Sequence, residues 1–408
     1  MCITLISPLD APHPPTPFPH LTFPSLPPVR SRPVARTSVI PAAASTDASR
    51  REVLKLGAAA SAASVAAPLV AAPSANAGLF GDAPNTDWER IDLPVQTGKN
   101  GVVLLDLAFV NDKRGFLLGT QQTLLETNDG GITWEKRDLS ALNEEGFNYR
   151  FQSVSFKGDE GWIIGKPAIL LHTKDAGKTW DRVPLSAKLP GAPVSILATG
   201  EGRAELVTDV GAIYTTKDVA YTWQAAVEES METTLNRTVS SGISGASYYE
   251  GTFAGVRRSK DGDYVGVSSR GNFYMSWVPG NTFWFPHNRP STRRVQAMGF
   301  LPDGRMWMTT RAGDVLYAKA PGVDVEDWKA AKIGSRGFGI LDIGFKNDTT
   351  AYAVGGSGSL FKSTDGGETW ARDKTTDDIP ANFYAVEFSP NGTGFVLGND
   401  GVLLRTIV

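Results

Sequence analysis

Three features of the 408-residue sequence predict an all-β fold, a seven-bladed β-propeller whose N-terminal strand completes the C-terminal blade. An octet recurs: TNDGGITW at Thr127–Trp134 returns as TKDAGKTW at 173–180, TKDVAYTW at 216–223 and STDGGETW at 363–370. Tryptophans keep the same beat. Trp88, Trp134, Trp180, Trp223, Trp284, Trp328 and Trp370 are separated by 46, 46, 43, 61, 44 and 42 residues, near the roughly 40–50 residues of a four-stranded blade. Finally, the two ends complement each other. GVLLRTIV (401–408) aligns with the third strand of a unit, TLLETNDGG, and DWERIDL (87–93) aligns with the fourth-strand segment TWEKRDL (133–139). Pairing them ties the last blade to the first and removes exposed sheet edges.

Each unit reads as four short strands. In the last full one they are GILDIGF, AYAVGG, SLFKS and TWARD, separated by Gly, Asp and Asn turns; alternation with such punctuation marks β-structure, and no segment sustains a helical period. The octet S/T-x-D-x-G-x-T-W resembles the Asp-box of sialidases and sortilin-type receptors, which lies at the turn between third and fourth strands. Its Asp accepts backbone N–H bonds, its Gly permits a positive φ, and its Trp packs between blades. Asp129, Asp175, Asp218 and Asp365, with Trp134, Trp180, Trp223 and Trp370, are therefore expected to be scaffold. The degenerate units mark where that scaffold is expected to be released: TKDVAYTW lacks the turn glycine, and the units ending at Trp284 and Trp328 read MSWVPGNTFW and AKAPGVDVEDW. The 61-residue spacing contains a polar segment, 224–250, expected to be an insertion between blades.

The first 77 residues read as an address. Residues 1–49 hold two acids, Asp10 and Asp47, against Arg30, Arg32 and Arg36 among many Pro, Ser and Thr, the composition of a chloroplast transit peptide. Residues 50–77 begin with the twin arginines of SRREVLKLG and end in Ala75-Asn76-Ala77, as a twin-arginine thylakoid-lumen signal cut between Ala77 and Gly78 would. The propeller is then 78–408. Of 40 basic and 43 acidic residues, six and three lie in 1–77, leaving 34 and 40. That balance does not suggest a nucleic-acid partner. The single cysteine, Cys2, leaves with the address, and with it disulfide and thiolate chemistry. A Ser-His-Asp site would have to use His172 or His287, the two histidines that remain.

Propeller topology sorts the loops onto two faces. Connections between blades and turns between second and third strands share the face that usually binds ligands. Onto it fall Arg150, Arg237, Arg289, Arg293, Arg294 and Arg336 from connections, and Lys166, Arg270 and Arg311 from turns. Clustered guanidinium groups suit carboxylates or phosphates. An Asp-box glycoside hydrolase of sialidase type is the alternative, because arginines are available and Tyr248, Tyr249 and Glu250 sit together. The remaining sialidase set is not assembled, and the N-terminal Arg-x-Pro motif is missing from the mature start.

The twin-arginine presequence, the seven-unit Asp-box pattern and the run FPHNRPSTRRVQAMGF at 285–300 together resemble the photosystem II stability/assembly factors of chloroplasts and cyanobacteria, over essentially all of 78–408. The resemblance implies a non-enzymatic chaperone of photosystem II assembly in the thylakoid lumen. It would bind a newly made reaction-centre subunit bearing a cleavable C-terminal extension, be peripheral to the membrane through that partner, be monomeric, and need no cofactor or metal. The family's arginine-rich patch maps onto Arg270, Arg289, Arg293 and Arg294, with Arg237, Arg311 and Arg336 on the same face. Arg237, Arg257 and Arg258 are weaker candidates for the patch, the last two because they end a first strand towards the opposite rim. Trp277, Phe283 and Phe285 are expected to form an exposed aromatic set near the arginines.

Overall fold

The computed structural model describes residues 87–142, 146–186, 189–227, 252–335, 337 and 339–407; the address segments 1–77 lie outside the described residues. Seven antiparallel four-stranded sheets form a β-propeller. The inner strands are Leu104–Phe109, Arg150–Lys157, Pro193–Gly200, Phe253–Arg258, Val295–Phe300, Ile340–Phe345 and Phe383–Phe388, for blades one to seven. Blade seven takes its outer strand from the N-terminal Trp88–Ile91, which pairs with Leu403–Thr406 in the register Trp88↔Thr406 to Ile91↔Leu403. The predicted closure is present.

The hydrophobic residues explain why the ring holds. Buried apolar side chains form seven clusters, and each spans two neighbouring blades. Phe395 and Leu397 of blade seven meet Leu104, Leu117 and Trp134 of blade one. Phe116 and Leu118 of blade one meet Ile163 and Trp180 of blade two. The same arrangement continues to the cluster that joins Tyr352 and Val354 of blade six to Trp88 and Val396 of blade seven. A single blade therefore buries neither face until its neighbours are in place. Trp88 is 8% exposed and meets Tyr352 edge-on at 5.0 Å. Around it Asp87 accepts from the Tyr352 hydroxyl (3.2 Å) and pairs with Lys362, while Glu89 pairs with Arg405 (3.0 Å).

The octets are turns of one design. In blade one Asp129 Oδ1 accepts from the amides of Ile132 (3.0 Å) and Thr133 (2.9 Å), and Oδ2 accepts from the Thr133 hydroxyl (2.6 Å). The Thr127 hydroxyl donates to Asp129 (2.8 Å) and accepts from Gly131 N (2.9 Å). Asp175 and Asp365 repeat the scheme, and hydrogen bonds from Thr369 hold the Asp365 carboxyl down at about 2. Gly131 has φ +86°, and a Cβ there would lie 2.5 Å from the Phe395 ring; glycine lets Trp134 close onto the preceding blade.

Two expectations need correction. TKDVAYTW does not release the turn. Val219 and Ala220 adopt φ 58° and 65°, and Asp218 still accepts from the Thr222 amide (2.9 Å) and hydroxyl (2.6 Å). The left-handed conformation costs an L-residue about 1–2 kcal/mol, and this bond set offsets it. The expected insertion also begins too early. Gln224–Val227 is the outer strand of blade three, paired with Ile213–Thr216, and 228–251 lie outside the described residues.

Each inner strand carries a register shift near its start, a β-bulge that sharpens twist beside the channel. Just after the bulge, side chains clamp the next blade: Asp106 Oδ2 accepts from Val154 N (2.8 Å) and Asp342 Oδ2 from Val386 N (3.1 Å).

Two stability outcomes follow from these contacts. Asp129→Ala removes the acceptor of two amides and two hydroxyls and should lower the unfolding free energy by about 2 kcal/mol. Trp88→Ala empties the last interblade core and should cost about 3–5 kcal/mol. Chemical denaturation of the two variants beside wild type measures both.

Candidate partner-docking face

Backbone hydrogen bonds stitch the loops of the interblade face together. In several blades the turn after the second strand bonds to the chain entering the next blade: Gln122 N donates to Tyr149 O (2.8 Å), Phe253 N, at the start of the blade-four inner strand, to Asp209 O (2.6 Å), and Gly358 N to Ala381 O (2.6 Å). At blades four and five this brings three arginine-bearing loops side by side. Val295 N donates to Gly271 O (2.8 Å) and Arg311 N donates to Arg294 O (2.9 Å). Gly271 sits at φ +69°, and a Cβ there would lie 2.1 Å from Val295 O. Only glycine permits that approach, so SRGN places Arg270 next to the connection RPSTRR.

Arg270, Arg293, Arg294 and Arg311 are exposed, and Arg289, at the start of the connection, is partly buried. These loops carry five arginines and one acid, Asp314. Arg293 Nε lies 3.5 Å from Asp314 Oδ2, with both side chains at least half exposed, and the Thr310 hydroxyl holds the same carboxylate at 2.8 Å. Asp314 thus partly neutralises Arg293, and five arginines against one acid give these three loops a positive formal charge. Such a surface attracts acidic segments, and its exposed pairing is weakened by salt.

The other predicted residues distribute differently. Arg237 and Arg336 lie outside the described residues. Arg150 and Lys166 are register partners in blade two, with Lys166 3.6 Å from Asp209 of blade three. Arg257 and Arg258 do not reach the arginine loops. Arg257 pairs with Asp342 at 3.1 Å, and Arg258 pairs with Glu205 at 2.9 Å. The expected aromatic set is also revised. Trp277 is 4% exposed and donates to Asn281 O at 2.8 Å, whereas Phe285 is 49% exposed.

His287 belongs to an alignment that the sequence could not have shown. Its Nε2 is 2.8 Å from Ser276 Oγ and its Nδ1 is 3.6 Å from Glu326 Oε1. The Ser276 side chain is sealed at 1% exposure and Tyr274 stacks on the imidazole at 4.8 Å. With no path for a substrate to Oγ, the group serves as a polar bridge from blade four to the Asp324–Glu326 loop of blade five. His172 is likewise structural, 2.8 Å from Glu160 and against Trp162. Tyr248, Tyr249 and Glu250 lie outside the described residues. Among the described residues no group of three His, Cys, Asp or Glu side chains is placed to hold a metal ion, and no helix is long and apolar enough to cross a membrane.

Comparison with known proteins places this geometry in a family. The family model described as photosynthesis system II assembly factor YCF48 matches residues 82–407. The photosystem II stability/assembly factor HCF136 of Arabidopsis thaliana is 53% identical over 324 residues, 79% of each chain. A solved structure of YCF48 from Cyanidioschyzon merolae is 43% identical, covering 78% of this chain and 98% of its own, with a TM-score of 0.71. Another, described as YCF48 bound to D1 peptide, is 41% identical, covering 81% of this chain and 96% of its own, with a TM-score of 0.69. The recurring octet, the seven closed blades and the arginine-bearing loops are thus those of a chain that belongs to the YCF48 family of photosystem II assembly factors.

Proposed function

We propose that this protein is a non-enzymatic assembly factor of photosystem II that captures a newly made reaction-centre subunit through the arginine loops of blades four and five. The observation that carries the reading is the relative described as bound to a D1 peptide, which shares 41% identity across 81% of this chain. Arg270, Arg293, Arg294 and Arg311 supply the chemistry. Their forks bind carboxylates in bidentate fashion, and the stitched loops hold them without a cofactor. Acidic residues of a partner segment would displace Asp314 from Arg293 on docking. Arg289 stands at the edge of the same connection; Arg237 and Arg336, expected on the same face from the sequence, lie outside the described residues.

The address segments support a place in the thylakoid lumen. A twin-arginine route suits a propeller, whose first and last strands must pair before the ring is complete. Attachment to the membrane would then come through the partner, with the protein itself a monomer.

Capture by exposed charges sets a rate and a salt dependence more than a large affinity. Titration of residues 78–408 against lumenal peptides of the reaction-centre subunit, including its C-terminal extension, tests this. Saturable binding should weaken about tenfold or more in Arg293→Glu/Arg294→Glu and fall as salt rises. Equal binding by the wild type and a folded double variant removes these loops from the mechanism.

A further inference from the structure

The charged residues of the inner strands fall into two groups. Arg150 is exposed at the rim, Lys157 packs against Gly200 of blade three, and Arg258 turns to Glu205. The remaining four, Asp106 of blade one, Arg257 of blade four, Asp342 of blade six and Glu387 of blade seven, act on one another electrostatically. Arg257 reaches past blade five to place Nη2 3.1 Å from Asp342 Oδ1. At the register position equivalent to Arg257, blades five and six carry Gly299 and Gly344, so no side chain from either position stands between them. Arg257, Asp342 and Glu387 line one cavity of about 330 Å3, walled by Phe300, Phe345 and Phe388. Asp342 holds the guanidinium directly, Glu387 lines the same cavity, and Asp106 acts on Arg257 through charge, so carboxyl groups from three blades bear on one guanidinium. Asp106 and Asp342 also hold the inner-strand amides of Val154 and Val386, so their charge bears on the junctions between blades.

We propose that these four residues are a proton-responsive brace of the propeller: the channel takes up protons as the medium turns mildly acidic, leaving the Arg257–Asp342 bridge as its one ion pair and tightening the ring. Other inner-strand positions add no charge to the set; blade two offers Ser153 to Asp106, and blade five offers Gly299.

Burial raises Glu387 from its ordinary 4.5 to about 8, against the attraction of Arg257 and with the repulsion of Asp342 and Asp106. Burial raises Asp106 from 3.8 to about 6, although the amides of Val154 and Leu107 favour its charged form. Burial raises Asp342 as well, opposed by Arg257. A carboxyl with a folded value above its unfolded one keeps a proton in the folded protein that the unfolded chain has lost. Stability is then greatest at or below the unfolded value and declines as pH climbs to the folded one. The window runs from about 4.5 to 8 for Glu387 and from about 4 to 6 for Asp106.

Thermal unfolding of the purified protein between pH 5 and 8.5 tests the brace. The wild-type midpoint should fall by about 1–2 °C per pH unit as pH rises. Glu387→Gln, which is neutral at every pH, should flatten that slope above pH 6 and unfold at a higher temperature than wild type at pH 8.5. Asp106→Asn provides a second probe, flattening the slope below pH 6 only. A slope that survives both substitutions overturns the proposal. So does a Glu387→Gln protein that is folded yet less stable than wild type at pH 8.5.

Discussion

The structure depends on one repeated contact, the seating of each blade's tryptophan and apolar strands against the preceding blade. The clusters lie between sheets, so no blade holds a core of its own. Stability is shared around the ring, and the ring must close for the last interface to exist. That makes Trp88 and its strand, supplied by the far end of the chain, as important as any residue of the repeat. Its indole fills the junction of blades six and seven, while Asp87 and Glu89 are fixed by Lys362 and Arg405. The Asp-box turns make the contact repeatable. A carboxylate that satisfies several donors fixes the turn, and glycine at its apex lets the indole approach the neighbouring sheet.

A ring held by its interfaces leaves the interblade face free to carry chemistry. The loops there need only satisfy their backbone groups, which they do by bonding across from turn to connection. At blades four and five that requirement has an electrostatic consequence. The bond from Val295 to Gly271 and the bond from Arg311 to Arg294 bring Arg270, Arg294 and Arg311 to adjoining loops. On the proposed function, a rigid scaffold beneath these guanidinium groups would be a pre-organised surface for an acidic segment, because little ordering would remain to be done on binding.

Much of this was legible in the sequence, because tryptophan spacing and octet chemistry are local signals that survive without coordinates. The matching of DWERIDL with TWEKRDL revealed the closure for the same reason. What was missed depends on register or on distant partners. Ala220 shows that a non-glycine residue holds the turn when the carboxylate clamp is intact. Gln224–Val227 reads as part of a polar excursion because QAAV has no strong strand pattern, yet it pairs as an outer strand. Trp277 reads as an exposed aromatic beside arginines but points into the junction with its neighbours. The ion pair of Arg257 with Asp342 and the approach of His287 to Ser276 and Glu326 join residues that no spacing rule connects.

The most direct test of the docking account is a crystal structure of this chain with an acidic lumenal peptide of the reaction-centre subunit. The account predicts peptide carboxylates against Arg270, Arg293 and Arg294, with Asp314 displaced from Arg293. A peptide bound at the channel mouth or on another pair of blades, with those arginines unengaged, would contradict it.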